Sequence, residues 1–188
     1  MDKIFPYRIH KLKVPNYETL NKKLTSEIQE IKGNDKNGIL RSNKGGWHSK
    51  DYFTYQDSDR TFKDLTKIIS DYYSEIIFQN KKYILLSHLW ANINTKGNFN
   101  SPHNHPNSHY SGVYYVKVPK NSGNLYFVDM PFDIDLKEII PEEGSLYMWQ
   151  SHLLHRVGEN LTDDDRMSIS FNFGLGDIKK QLKEQDDR

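Results

Sequence analysis

The sequence predicts a mainly β protein, a β-sandwich or jelly roll with N-terminal helices packed on one outer face. Three observations predict it. Apolar residues recur at steps of three and four in two early segments, the period of an amphipathic helix. From Lys82 onward the period falls to two, the signature of half-buried strands. Aromatic residues make up 13% of the chain, and such side chains suit strands better than helices. Helices first and short strands after them is the order of a layered β fold covered by helices on one side.

The elements follow in chain order. Residues 1–14 contain a strand, YRIHKLKV, ended by Pro15. Residues 16–31 read as a helix, with Tyr17, Leu20, Leu24, Ile28 and Ile31 on one face. Residues 32–60 are polar and carry Gly33, Gly38, Gly45 and Gly46. They read as a long loop, and a structureless stretch of that length is often functional, for example as a lid. Residues 61–78 form a second helix, with Phe62, Leu65, Ile68, Ile69, Tyr72 and Ile76 on one face. Five strands are expected next: YILLSHLWANI, SGVYYVKV, NLYFVD, SLYMWQ and RMSISFNF. The charged tail, 177–188, is a short surface helix or a frayed end. Residues 1–188 are expected to make one domain, with 1–81 as strand, helices and loop and 82–176 as the jelly-roll core.

Composition excludes several functions. Lys plus Arg is 26 and Asp plus Glu is 25, so there is no strong nucleic-acid footprint. No apolar run is long enough to span a membrane, and no signal peptide is evident, which favours the cytoplasm. Without cysteine there is no disulfide and no thiolate chemistry. The oligomeric state is left open, a homodimer included.

The chemistry is concentrated in 97–115, GNFNSPHNHPNSHYSGVYY, together with His155 and Arg166. Five of the eight histidines lie between positions 103 and 155. His103 and His105 are spaced i, i+2, which on a strand puts both imidazoles on one face. Gly97 and Pro102 bracket the approach as a tight turn. His155 follows the strand that begins after Gly144, where a jelly roll returns beside the first pair. Neutral imidazole is a common ligand for Fe, Zn, Cu and Ni. His103, His105 and His155 are therefore the expected metal ligands. His152 competes with His155, and His109 could add a fourth ligand. His10, His48 and His88 are isolated and read as structural, except that Trp47 and His48 in GGWHS could touch substrate.

Arg166 opens an alternating strand. Arg166, Ser168, Ser170 and Asn172 share one face; Met167, Ile169, Phe171 and Phe173 share the other. A polar face inside a barrel needs a polar occupant. A dicarboxylate would supply one, clamped bidentately by Arg166 with Ser168 as a second donor. The bland alternative is a surface arginine pairing with Asp163, Asp164 or Asp165.

At these residues the chain resembles the 2-oxoglutarate and Fe(II)-dependent oxygenases, more narrowly a group from marine bacteria and their phages. The shared pattern is Trp90-x-Asn92, His103-x-His105-Pro106, Ser111 to Tyr115, Pro141-x-x-Gly144, His155-x-Val157 and Arg166-x-Ser168 through Asn172, with GGWHS at 45–49. The resemblance implies a double-stranded β-helix, iron(II), 2-oxoglutarate and dioxygen. The implied reaction hydroxylates a C–H bond of a small-molecule or peptide substrate, releasing succinate and CO2, in the cytoplasm of a bacterium or a phage-infected cell. Asn92-x-Asn94-x-x-Gly97 before His103-x-His105 is also similar to the N-x-Y-x-x-G before H-x-D of the nucleic-acid dealkylating branch. Asn92, Asn94 and Tyr115 are the implied further co-substrate contacts.

One departure stands out. The usual facial triad is two histidines and a carboxylate, and here histidine occupies position 105. Three histidines bring no ligand charge, unless a carboxylate such as Asp129 comes from elsewhere. The alternative is a cupin-type isomerase or small-molecule-binding protein. Gly97 and Pro141-x-x-Gly144 fit a cupin pattern, but its glutamate is absent and it has no use for Arg166 and Ser168. A third reading is a metal-free interaction module.

Overall fold

The computed structural model describes residues 8–52, 62–77, 84–129 and 134–175. In chain order these hold β1 (Ile9–Lys13), α1 (Tyr17–Asn34), β2 (Asn43–Lys44), β3 (Trp47–His48), α2 (Lys63–Ile77), β4 (Ile84–Asn94) and β5 (Phe99–His103). There follow β6 (Tyr110–Lys117), β7 (Leu125–Asp129), β8 (Ile134–Ile139), β9 (Ser145–Gln150), β10 (His155–Val157) and β11 (Arg166–Leu175). Two antiparallel sheets form, ordered β1-β9-β6-β11-β4-β3 and β2-β5-β10-β7-β8. This is the jelly roll that the change of period predicts.

The alternation of β4 and β11 decides what lies where. Leu89, Ala91 and Ile93 of β4 and Met167, Ile169, Phe171 and Phe173 of β11 point outward to one core cluster. Both helices contribute to it, through Leu24 and Ile28 of α1 and Leu65 and Ile69 of α2, all 1% exposed or less. The expected helical cover on one outer face is therefore present. A second cluster sits between the sheets and contains Val113, Tyr115, Leu125, Phe127, Tyr147 and Trp149. Gly112 of β6 is required where Phe171 crosses, since a Cβ would collide with its ring and with the Tyr147 carbonyl.

Some expectations need correction. The segment 32–60 is not structureless throughout. Asn43–Lys44 pairs with β5 and Trp47–His48 pairs with β4, while 53–60 lies outside the described residues. Two-residue strands have no periodicity to read, and their partners are some fifty residues away. β5, β8 and β10 also escaped the period-two pattern. Pro102 is not part of a turn; it lies inside β5. It stands where the β5–β10 register slips by one residue, and a bulge is one of the places in a sheet that accept proline. Only Gly97, with φ +81°, makes the turn.

Candidate metal and co-substrate site

The β5 bulge brings His103, the last residue of β5, directly opposite His155, the first of β10. His105 lies just past the strand, where its N–H bonds the Ser151 carbonyl at 3.0 Å. Histidine donor atoms from 103, 105 and 155 all lie within 4.8 Å of one another. The ring centroids are 4.3–5.2 Å apart. The expected triad is thus brought together, though His105 is held by a loop rather than a strand.

The tautomers follow from the partners. A carbonyl only accepts, so the ring nitrogen beside it must carry the proton. His103 Nδ1 donates to the Ser101 carbonyl and His155 Nδ1 to the Leu153 carbonyl, each at 2.9 Å. Both keep Nε2 as a lone-pair donor, the arrangement a metal-ligating imidazole needs. The Ser42 hydroxyl stands 3.3 Å from His103 Nε2, beside that lone pair. Burial disfavours the charged form of all three rings. His103 is lowered by desolvation, against the Ser101 carbonyl that raises it. His105 is lowered to about 3 by desolvation, then by His103, His88 and His48. His155 is driven well below its ordinary value by desolvation, then by the other two rings. Three neutral imidazoles facing one point fit a divalent metal ion.

The cluster faces a cavity of about 580 Å³. Its floor is set by strand register. Arg166 stands opposite Asn94, Ser168 opposite Asn92 and Tyr115, Ser170 opposite Trp90 and Val113, and Asn172 opposite His88 and Ser111. All but Ser111 line the cavity. The four polar residues of β11 therefore face the space that their alternation requires.

Arg166 is only 2% exposed and makes no ion pair among the described residues. The acidic run beside it is used elsewhere: Asp163 pairs with Lys96 at 2.9 Å and Asp164 with Lys117 at 3.4 Å. Desolvation lowers the Arg166 pKa, and Tyr115 opposes this. Its Nη1 donates to the carbonyls of Ser122 and Gly123 at 2.6 and 3.1 Å. These come from a turn with Asn121 at φ +64° and Gly123 at φ +93°. A Cβ on Gly123 would collide with the Gly158 carbonyl and crowd Arg166. A guanidinium this buried, with no carboxylate to balance it, fits the distal carboxylate of a dicarboxylic acid.

Tyr115, 3% exposed, has its hydroxyl pKa raised by burial, against the Arg166 charge that lowers it. Asn92 donates to Ser170 Oγ at 3.0 Å, and Asn94 to Asn100 Oδ1 at 3.4 Å. His48 stacks on Trp90 at 5.5 Å and 9°, and its Nδ1 donates to the Ser49 carbonyl. Trp47 does not reach the cavity. It is 7% exposed, joins the outer core, and its indole N–H donates to the Asp35 carbonyl at 2.7 Å. Strand alternation turns adjacent residues to opposite faces, so only one of Trp47 and His48 can face inward. His88, expected to be structural, also lines the wall. Asp129, His109 and His152 are exposed and stand outside the histidine cluster.

Sequence reasoning missed Ser42, Asn100 and Trp149. Asn100 Nδ2 donates to Ser42 Oγ at 3.2 Å, joining Asn94 to His103 through a polar chain. Nothing in the polar loop marked Ser42. The Trp149 ring lies 4.9 Å from that of His155, and the alternation in SLYMWQ could have placed it inward.

Residues 88–140 and 132–172 match the model of a family described as "Putative 2OG-Fe(II) oxygenase". The matched stretch holds all three histidines and Arg166, and there the chain is similar to that family. The family's name implies iron(II) and 2-oxoglutarate, and the three imidazoles and Arg166 fit them. Solved structures share the double-stranded β-helix. A Pseudomonas putida prolyl-4-hydroxylase matches with TM-score 0.68 at 14% identity, over 90% of this chain and 94% of that one. Streptomyces hygroscopicus HygX, solved with nickel and 2-oxoglutarate bound, matches with TM-score 0.68 at 11% identity, over 90% and 83%. The viral collagen prolyl hydroxylase of Paramecium Bursaria Chlorella virus-1, solved as a 2-oxoglutarate complex, matches with TM-score 0.62 at 13% identity, over 88% and 94%. At these identities the likeness is one of fold. No curated protein matches the chain by sequence.

Proposed function

We propose that the protein is an Fe(II)- and 2-oxoglutarate-dependent dioxygenase that hydroxylates a C–H bond of a small-molecule or peptide substrate. The observation that carries this is the shared cavity: three neutral imidazoles at one point and an unbalanced buried Arg166 on the floor. When bound, iron and 2-oxoglutarate together supply the oxidising power, with dioxygen consumed and succinate and CO2 released.

The chain's residues have separate tasks. His103, His105 and His155 hold the metal through ring nitrogens, and the Ser101 and Leu153 carbonyls fix two of those rings. Arg166 takes the distal carboxylate of the co-substrate, aimed by the Ser122 and Gly123 carbonyls. Ser168, Tyr115, Asn92 and Asn94 complete the polar floor around it. His48, stacked on Trp90, stands on the cavity wall as a substrate contact. The apolar shell of Val113, Leu125 and Trp149 keeps water from the inner end.

A cupin-type isomerase gains no support, since it leaves Arg166 buried without an anion. The test is anaerobic addition of Fe(II) and 2-oxoglutarate. A weak visible metal-to-ligand charge-transfer band is expected, then succinate on admitting oxygen. Absence of the band at saturating co-substrate overturns the reading.

A further inference from the structure

The β11 floor continues beyond the co-substrate residues. Asn172 lies six positions from Arg166 on the same face, at the other end of the cavity wall. It is 8% exposed. Its amide is oriented by one bond: Ser111 Oγ donates to Asn172 Oδ1 at 2.8 Å. Ser111 Oγ in turn lies 2.7 Å from Ser151 Oγ. The Ser151 carbonyl accepts the His105 N–H at 3.0 Å. With the carbonyl end so occupied, the NH2 group is the end presented to the cavity. It has no acceptor among the described residues, yet it is not sealed from the cavity space. One step back, Ser170 Oγ accepts from Asn92 at 3.0 Å, which frees its own proton to donate. Asn172 is a buried donor and Ser170 a half-buried one, and both line the cavity on the side of the loop that carries His105. A buried donor without an acceptor is costly unless a ligand supplies one.

We propose that Asn172 is a specificity-determining residue, and that it receives a carbonyl or carboxylate oxygen of the substrate. The inference rests on the oxygenase reading above and names the chemistry of its unassigned substrate. Ser170 is the second donor of the same subsite. The hydrogen-bonded chain through Ser111 and Ser151 ties this contact to the backbone of His105, so a substrate held here is registered against the metal.

The discriminating variant is Asn172→Asp. It keeps an oxygen for Ser111 and replaces the donor that faces the cavity with an acceptor. Two probe sets are supplied to full-length protein with Fe(II), 2-oxoglutarate and oxygen. One is the N-acetyl, N-methylamide amino acids together with free amino acids. The other is linear alkylamines, which as ammonium ions offer donors and no acceptor. Succinate formed above the substrate-free level is the readout. Wild type is expected to respond to the first set and not the second. Capped and free amino acids compared with each other tell a neutral carbonyl from a carboxylate. Asn172→Asp should raise KM for the responding compounds about tenfold or more. Asn172→Leu should do the same, with the charge-transfer titration of 2-oxoglutarate confirming an intact site in each variant. If only alkylamines stimulate wild type, if neither set does, or if Asn172→Asp responds as wild type does, the assignment fails. A missing charge-transfer band in wild type would instead remove the oxygenase reading itself.

Discussion

Three residue positions, His103, His155 and Arg166, decide whether the metal and co-substrate assignments stand. His103→Ala and His155→Ala each remove one of three ligand atoms and should abolish stoichiometric Fe(II) binding. His152→Ala should leave it nearly intact, because that side chain is exposed and lies outside the cluster. Metal content after desalting measures both, and the reverse pattern would sink the ligand set. Arg166→Ala should weaken 2-oxoglutarate by about ten- to more than a hundredfold, the worth of a charge-assisted bond of about 1.5–3 kcal/mol. Fe(II) affinity should hardly change. Lysine should rescue only in part, since it keeps the charge and loses the planar fork that also meets the Ser122 and Gly123 carbonyls. Equal 2-oxoglutarate binding in wild type and Arg166→Ala would remove the co-substrate role.

Among elements, the turn before β7 and helix α1 make opposite predictions. Gly123 stands at φ +93°, where an L side chain is strained, and its carbonyl helps aim Arg166. Gly123→Ala should destabilise by about 1–3 kcal/mol and weaken 2-oxoglutarate more than Fe(II). Ile28 of α1 is fully buried against the outer face of the large sheet, away from the cavity. Ile28→Ala should cost about 2–5 kcal/mol and lower the melting temperature. Its 2-oxoglutarate affinity, measured well below that temperature, should match wild type. A selective loss of co-substrate binding there would mean that α1 shapes the site. Both helices were legible because their apolar period is long and regular. The strands β2 and β10 were not, because two or three residues carry no period and their pairing is made across the fold.

At the scale of the molecule, the three histidines link folding to pH. Their folded pKa values are lowered by burial, to about 3 for His105, whereas the unfolded chain titrates near 6.5. Below about pH 6.5 the unfolded state therefore binds protons that the folded state refuses. The stability contribution is complete above that pH and is lost progressively as pH falls toward the folded values. Thermal melts of the metal-free protein should show this fall between about pH 6.5 and 5, and His105→Phe should flatten it. An unchanged slope would mean that the rings are not buried as neutral groups. The same depression bears on metal binding. Proton competition with the metal begins not near pH 6 but lower, so affinity should hold there with little proton uptake. Fe(II), binding only the folded state, should raise the melting temperature with concentration. No helix among the described residues is long and apolar enough to cross a membrane.

Local pattern in the sequence was enough to determine the jelly roll, its helical cover and the polar face of β11. Alternation and helical period are properties of adjacent residues, and burial enforces them wherever the strand ends up. The i, i+2 histidines and the remote His155 were legible for the same reason, since a jelly roll returns its strands to known neighbours. Tertiary structure alone decided the rest. It set His48 rather than Trp47 against the cavity and placed Asp129 outside the site. It spent Asp163 and Asp164 on Lys96 and Lys117, which leaves Arg166 without a counter-charge. It brought Ser42 onto His103 and turned the amide of Asn172 through Ser111. Each of these depends on which distant group reaches a side chain first, and contacts between residues dozens of positions apart leave no local trace in the chain.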